Sequence, residues 1–188
     1  MQTFLETERL VLRRFTAADL DHLVELDSDP EVMRYLTGGK PTSRDAVRDR
    51  ILPNILAYYD QHPGLGCWAA LERSTGEFLG WFALTVKDDD PPSDIELGYR
   101  LRRAAWGKGY ATEGSRALID KAFAELGAER VYAETMAVNT ASRRVMEKAG
   151  LRYVRTFHVE WDDPIEGTEH GEVEYELRRA DWVAAASR

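Results

Sequence analysis

The chain has 188 residues, with 25 lysines and arginines against 33 aspartates and glutamates, a formal net charge of −8 and an apolar content of 44%. This length and apolar content exclude a disordered chain and predict a single domain over residues 1–188 with a core of its own. The acidic balance disfavours nucleic acid as a partner, because that affinity depends on basic side chains that neutralise phosphates, and it favours a cationic partner.

The single cysteine, Cys67, excludes an internal disulfide, and its apolar flanks predict a small core residue. The first residues have no basic region followed by a long apolar run, so we expect no signal peptide. No stretch reaches about 18 consecutive apolar residues. We therefore expect no membrane-spanning segment, and a cytoplasmic protein.

The first half of the chain predicts helices between a strand and a hairpin. In chain order the elements are a strand at Arg9–Phe15, a helix after Thr16, a short helix after Asp29-Pro30, a helix after Ser43, and a hairpin of Cys67–Glu72 with Glu77–Val86. Ser43 is a good N-cap residue. Pro53 should kink or divide the helix that Ser43 begins, because proline lacks a backbone N–H.

The second half alternates strands and helices. Its predicted elements are a strand at Asp94–Leu101, a helix from Ala111 to Leu126, a strand at Arg130–Val138, a helix from Asn139 to Gly150, and strands at Leu151–Trp161 and Glu172–Arg178. The whole order predicts a mixed α/β sheet with helices on both faces. In the strand Asp94–Leu101, alternation places Glu96 and Gly98 on the face opposite Ile95 and Leu97.

The acidic residues are concentrated near the C-terminus. Eight of them fall between Glu160 and Glu176, a stretch without lysine or arginine, so this stretch alone accounts for the net charge of −8. The acids of the last predicted strand alternate on one face and can simply meet water. Those of the preceding loop are better placed to attract a cation, and they are Asp162, Asp163, Glu166 and Glu169.

Two segments could bind a ligand. Gly107 and Gly109 lack a Cβ and precede a helix, so backbone N–H groups and the positive end of the helix dipole can converge on an anion such as a pyrophosphate. The alternative is a strand-to-helix turn that needs glycine only for its dihedral angles. The segment from Asn139 to Ser142 alone predicts no more than the N-cap and first turn of a helix.

Taken together and in order, these segments resemble the GNAT superfamily of acetyl-CoA-dependent N-acetyltransferases, and within it the branch typified by the ribosomal-protein N-terminal acetyltransferases. The matching pieces are Thr7-Glu8-Arg9-Leu10-Val11-Leu12-Arg13, Gly98-Tyr99-Arg100-Leu101, Trp106-Gly107-Lys108-Gly109-Tyr110-Ala111-Thr112-Glu113, Asn139-Thr140-Ala141-Ser142 and Met146-Glu147-Lys148-Ala149-Gly150-Leu151. The resemblance covers about residues 7–182 of the chain.

The resemblance implies a mostly antiparallel sheet of seven strands that splays open in the middle, acetyl-CoA as co-substrate, and no metal. The implied cofactor-binding residues are Leu97, Tyr99 and Leu101 on the open strand, Trp106, Gly107, Lys108, Gly109, Tyr110, Ala111 and Thr112 in the pyrophosphate loop, and Asn139 and Ser142. Trp106 stands where the superfamily pattern has Gln or Arg, which removes one side-chain contact and leaves the backbone of the loop intact.

The resemblance also implies direct attack of an amine on the acetyl thioester. Glu96 is the candidate base, acting directly or through water, and it could also simply attract the ammonium form of the amine. The alternative is an exposed strand residue or a partner of Arg100. Many members have a tyrosine where this chain has Met146, so Ser142 is the candidate that protonates the departing thiolate; alternatively it only contacts the cofactor. Tyr175 is a weaker candidate for that acid. The cofactor's 3′-phosphate has four basic candidates: Arg102, Arg103, Lys108 and Arg143.

The acceptor is left open by the sequence. We expect an amine, cationic before it reacts, most readily the α-amine of a protein or peptide. The alternatives are a small amine, such as a polyamine, an aminoglycoside or an amino-acid derivative, or a CoA-binding module without turnover. A homodimer is one option for the assembly.

Overall fold

The computed structural model describes residues 2–187. Its strands are β1 (Thr3–Glu6), β2 (Leu10–Arg14), β3 (Gly66–Glu72), β4 (Phe78–Thr85), β5 (Asp94–Leu101), β6 (Arg130–Met136), β7 (Arg152–Phe157) and β8 (Glu172–Arg178). Its α-helices are α1 (Leu20–Leu26), α2 (Arg34–Thr37), α3 (Arg44–Ala46), α4 (Leu52–Gln61), α5 (Tyr110–Glu125), α6 (Thr140–Lys148) and α7 (Arg179–Ala186).

The strands form one mixed sheet in the order β1-β2-β3-β4-β5-β6-β8-β7. Neighbouring strands are antiparallel except β5 and β6, which are parallel. The predicted α/β architecture is confirmed, but the sheet has eight strands where seven were expected. The additional strand is β1, a four-residue edge strand whose pairing with β2 gives it its conformation, and its sequence carries no turn signal of its own.

The helix expected after Asp29-Pro30 begins later than predicted, at Arg34, because residues 30–33 form turns, whereas the helices after Thr16 and Ser43 begin where the sequence indicated, the first as a 3-10 turn at Ala17–Asp19. The hydroxyl of Ser43 accepts the backbone N–H of Ala46 at 3.1 Å and starts α3. The break expected at Pro53 takes the form of a π-helical turn, Val47–Ile51, that connects α3 to α4. Pro53 then lies in the first turn of α4, where a missing N–H leaves no helical hydrogen bond unmade.

Each face of the sheet has its own core. Trp68, Phe82 and Leu97 lie on the face that packs against α5 and α6. On the opposite face, α1, the π-helical turn and α4 cover β3 and β4 with a second, smaller core, against which Cys67 packs as predicted. Burial raises the pKa of the Cys67 thiol, as expected for a packing residue. The part of this second face formed by β6 and β8 carries charged residues around Arg130, beside the buried Tyr132 and Met136.

The acids of β8 lie on this charged part of the sheet. Glu174 is only 5% exposed, and its carboxylate is shared between Arg130 of β6 and Arg155 of β7. Arg130 also pairs with Glu176 at 2.5 Å. Glu174 and Glu176, for which the sequence allowed simple contact with water, are therefore paired with arginines from outside the acidic stretch. Glu172 has no ion pair among the described residues.

Within residues 2–187, no helix is both long enough and apolar enough to cross a lipid bilayer.

Candidate active site

The parallel strands β5 and β6 separate after three residue pairs, of which the last joins Glu96 to Tyr132. β5 continues to Leu101 and β6 to Met136, but their pairing does not continue with them. The edge of β5 from Leu97 onward therefore faces an opening in the sheet. An extended backbone with unpaired N–H and C=O groups can bind a ligand as an added strand does.

Side chains of β5 line this opening on both faces, as the alternation predicted. Leu97 and Leu101 are buried in the core on the side of α5 and α6. Tyr99 reaches from the same side to α6, where its hydroxyl lies 2.9 Å from the Ser142 hydroxyl. Glu96 and Gly98 lie on the other face, and a Cβ at Gly98 would be 3.5 Å from the Trp81 ring, an ordinary contact distance.

Burial and three charged groups, two on the connection between β4 and β5 and one on β6, shift the pKa of Glu96. Burial raises the pKa of Glu96, and the nearby carboxylates of Glu134 and Asp90 raise it further. Lys87 opposes them, with its ammonium 3.5 Å from Glu96 and 2.7 Å from Glu134. The result is a partly buried carboxyl group with a raised pKa and one cation within reach, a combination typical of groups that accept and release protons in active sites.

Glu172 extends the acidic surface from Glu134 onto β8. Burial and the charge of Glu134 both raise the pKa of Glu172. Glu172 pairs with Met136, two residues after Glu134 on β6, and so lies on the same face as Glu134 and nearer the end of that strand. An ammonium group on this face would therefore meet carboxylates from β5, β6 and β8.

The loop before α5 has the geometry of an anion cradle. Gly107 and Gly109 have φ values of 71° and 83°, in the left-handed region that favours glycine. A Cβ at Gly107 would meet nothing within 4 Å, so ligand atoms have access to the backbone there. The first-turn residues Tyr110, Ala111 and Thr112 present N–H groups without helical acceptors. Trp106, 45% exposed, is held by a 2.8 Å hydrogen bond from its indole N–H to the carbonyl of Leu101.

Hydrogen bonds from Thr7 and Arg9, near the N-terminus, hold this loop in place. The sequence did not predict this role for either residue. Glu113 accepts hydrogen bonds from the Thr7 hydroxyl at 2.6 Å and from the Arg9 backbone and guanidinium at 2.9 and 2.7 Å. Arg9 also donates to the carbonyl of Lys108 at 2.8 Å and stacks on the Tyr110 ring. Burial opposes ionisation of Glu113, but these hydrogen bonds outweigh it and lower its pKa. Thr7–Arg13 and Trp106–Glu113 both match the family pattern, and this shared match was the one indication in the sequence that the two segments could be in contact.

The start of α6 brings the second predicted segment to the opening. The side-chain oxygen of Asn139 accepts the backbone N–H of Ser142 at 3.3 Å, as an N-cap does. The Asn139 amide donates to the Thr135 hydroxyl at 3.1 Å, which ties the cap to β6. Because Ser142 contacts Tyr99, it lies on the α5–α6 side of the opening, and Glu96 lies on the other. The two predicted catalytic residues therefore flank the opening from opposite faces.

Three of the four basic candidates for a phosphate are already engaged: Arg102 with Glu77 at 2.7 Å, Arg103 with Asp29 at 3.1 Å, and Arg143 with the carbonyl of Ala137 at 2.9 Å. Lys108, on the loop itself, has no ion pair among the described residues. Tyr175 is 1% exposed, and its hydroxyl already bonds with Arg143 and Glu147. This arrangement favours Lys108 for a phosphate and disfavours Tyr175 as an acid.

A cavity of about 480 Å³ lies between α2 and the loop that connects β7 to β8. Val138, two residues beyond the end of β6, is part of its wall, so the cavity is at the end of the strand that carries Glu134. Lys40 pairs with Asp163 at 2.5 Å across its rim. A Cβ at Gly38 would be only 3.0 Å from Ile165, so helix and loop are also in close contact.

Among residues 2–187, no group of three or more His, Cys, Asp or Glu side chains is arranged to hold a metal ion.

Comparison with known proteins assigns a family. A model described as an acetyltransferase (GNAT) domain matches residues 9–152. The FsC-acetyl coenzyme A-N(2)-transacetylase of Aspergillus fumigatus is 37% identical over 188 residues, which cover 97% of this chain and 79% of that protein. YdaF of Bacillus subtilis, provisionally named a ribosomal N-acetyltransferase, is 26% identical over 97% of this chain and 98% of its own length.

Solved structures share the fold. A GNAT-family acetyltransferase from Bacillus anthracis has a TM-score of 0.74 at 24% identity, and covers 94% of this chain and 98% of its own. RimL, a ribosomal L7/L12 alpha-N-protein acetyltransferase solved with coenzyme A, has a TM-score of 0.75 at 15% identity, with coverage of 94% and 98%.

The loop geometry predicts the effect of Gly109→Val. A valine there would be strained at the left-handed φ of 83°, and its Cβ would lie 3.3 Å from the Arg9 guanidinium, which would have to move by a few tenths of an ångström. We expect the affinity for CoA, measured by calorimetry, to fall by about 100-fold or more. Gly76→Val is the matched control, because Gly76 has a similar φ of 76° with no atom within 4 Å of a Cβ. CoA affinity within threefold of wild type in Gly109→Val would show that the loop does not hold the cofactor.

Proposed function

The chain belongs to the GNAT acetyltransferase family and is an acetyl-CoA-dependent N-acetyltransferase, and we propose that its acceptor is the primary amine of a small molecule. The observation that carries this choice is the cavity of about 480 Å³ at the end of β6. Small-molecule sites usually have volumes of roughly 300–1,000 Å³. The segment that follows α2 borders this cavity together with the β7–β8 loop, to which it is joined by the Lys40–Asp163 ion pair, and a site of this size suits a small acceptor better than a folded protein.

The described residues fit acetyl-CoA along the opening. The backbone of Leu97 to Leu101 would pair with the pantetheine arm, and N–H groups there would polarise the thioester carbonyl. The residues Trp106 to Thr112 would hold the pyrophosphate, with Lys108 within reach of a phosphate. Asn139 and Ser142 would contact the arm from the opposite edge. The pyrophosphate would have to approach the backbone of the loop closely. At Gly107 there is room for it, because a Cβ there would meet nothing within 4 Å.

Acetyl-CoA supplies an acetyl thioester whose carbonyl carbon is open to attack by a neutral amine. At pH 7 an α-amine with a pKa near 8 is about one-tenth neutral, whereas a lysine amine is neutral in fewer than about one molecule in a thousand. Glu96 would accept the proton that the amine must lose, directly or through one water molecule. Lys87, 3.5 Å from Glu96, favours its ionised form against the effect of burial, and Glu134 and Glu172 would attract the ammonium form of the amine beforehand.

Ser142 would act on the leaving group. Its hydroxyl is bonded to Tyr99 and to no base among the described residues, which argues against a serine nucleophile and supports direct transfer. A thiol with a pKa near 8.5 leaves readily as a thiolate, so a hydrogen bond from Ser142 to the sulfur gives it sufficient help.

The similarity to a protein named FsC-acetyl coenzyme A-N(2)-transacetylase, whose name mentions no ribosomal protein, supports an acceptor of another kind, because that relative is 37% identical over 97% of this chain. The second candidate is the α-amine of a protein. It is favoured by YdaF, although YdaF is the more distant of the two at 26% identity.

An acceptor panel tests the proposal. Thiol release from acetyl-CoA is followed with amino-acid derivatives, a polyamine, an aminoglycoside and peptides with free N-termini. We expect at least one small amine to exceed every peptide tenfold or more in kcat/KM. We also expect Ile165→Trp, which fills the cavity, to raise KM for that amine and not for acetyl-CoA, whereas Val183→Trp on the exposed face of α7 leaves both unchanged.

Turnover of peptides alone would favour the protein acceptor. CoA binding with no turnover of any amine would indicate a binding module.

The raised pKa of Glu96 predicts the pH dependence of the reaction. Activity should fall as pH drops through that pKa, because protonated Glu96 cannot accept a proton. Glu96→Gln should lower kcat by up to about 100-fold and flatten this acid limb, with CoA affinity kept.

Glu134→Gln is the matched variant for this prediction. It removes a negative charge that raises the pKa of Glu96 and leaves Lys87 to Glu96 alone, so the acid limb should move to lower pH. A wild-type rate and an unchanged acid limb in Glu96→Gln would remove Glu96 from the mechanism.

A further inference from the structure

Tyr99 is the side chain that crosses the opening on the α5–α6 side. It belongs to the part of β5 beyond the last pair with β6, and its hydroxyl lies 2.9 Å from the Ser142 hydroxyl and 3.1 Å from the Ser142 carbonyl oxygen. The ring packs beside Phe82, with centroids 6.3 Å apart. A residue of β5 thus meets the first turn of the helix that follows β6, although the two strands no longer pair.

We propose that Tyr99 is a positioning residue that aims the Ser142 hydroxyl at the departing sulfur, an inference that rests on the proposed function. Tyr99 has one hydroxyl hydrogen, and two oxygens of Ser142 are within reach of it. When Tyr99 donates to the carbonyl, the Ser142 hydroxyl donates to Tyr99 and its hydrogen is occupied. When Tyr99 donates to the Ser142 hydroxyl, the serine hydrogen is free to turn toward another acceptor.

The charge that develops on sulfur selects the second arrangement. A thiolate attracts a hydrogen-bond donor more strongly than a neutral phenol oxygen does. As Ser142 turns to it, Tyr99 replaces the bond that Ser142 gives up, so neither hydroxyl is left unpaired. Tyr99 thereby allows Ser142 to change acceptors at the moment of C–S bond breaking.

Tyr99 acts here as a hydrogen-bond donor and not as an acid. Burial raises its pKa to about 12, whereas a thiol has a pKa near 8.5, so the phenol keeps its proton when a thiolate is nearby. The thiolate takes its proton later from water. No proton needs to leave either hydroxyl, and both residues return to their starting state after each turnover.

The binding of CoA itself tests this role without an acceptor. If Ser142 donates to the sulfur, the thiol of bound CoA has a lower pKa than that of free CoA, and affinity rises with pH between those two pKa values. We expect wild-type affinity for CoA, measured by calorimetry and divided by that for desulfo-CoA, to rise about tenfold from pH 6.5 to 9.5. Tyr99→Phe, which removes only the hydroxyl, and Ser142→Ala should each reduce this rise to less than threefold.

Three further measurements separate positioning from structure. Tyr99→Phe should keep the wild-type affinity for desulfo-CoA. The double variant Tyr99→Phe/Ser142→Ala should lose no more of the pH-dependent rise in CoA affinity than Ser142→Ala alone. Tyr175→Phe removes another buried phenol hydroxyl, one bonded to Arg143 and Glu147, and should retain the full pH dependence.

Retention of the tenfold rise in Tyr99→Phe, or its loss in Tyr175→Phe instead, would overturn the role of Tyr99 and leave the proposed function intact. Failure of the wild type to bind CoA would overturn both.

Discussion

The site depends on one constraint of the sheet, which is that β5 and β6 stop pairing after Glu96 and Tyr132. Parallel strands that stayed paired would use the backbone of β5 for the sheet itself and would close the gap between the two faces. Since they separate, the same five residues, Leu97 to Leu101, have one paired edge toward β4 and one open edge. The open edge is where an extended ligand can be bound, and it lets groups on opposite faces act on the same atoms.

Interactions between distant segments keep this arrangement in place. Glu113, in the first turns of α5, would by its charge oppose an anion at the helix start, but Arg9 neutralises it and fixes the loop through Lys108. On the far side, Asn139 ties α6 to β6, and Tyr99 ties α6 to β5. The two edges of the opening are thus each anchored, so a ligand that enters meets groups that are already oriented.

Much of the architecture was predictable because it is locally encoded. Alternation along β5 correctly separated Glu96 from Leu97, and Ser43 and Asn139 behaved as the N-caps that their types suggest. The features that were missed depend on partners far away in sequence. The order of residues does not reveal that β1 pairs with β2, that Lys87 lies between Glu96 and Glu134, or that Arg130 compensates Glu174. For the same reason Arg143 and Tyr175 remained open as candidates until their partners were seen.

We propose that the open edge of β5 binds acetyl-CoA as an added strand. Hydrogen exchange of backbone amides with and without CoA tests it most directly, because a new backbone partner slows exchange at the amides it occupies. With CoA bound, we expect slower exchange within residues 97–101 and 107–112, and little change at residues 94–96, which β6 already pairs. Slower exchange confined to the walls of the cavity between α2 and the β7–β8 loop, with residues 97–101 unaffected, would contradict it.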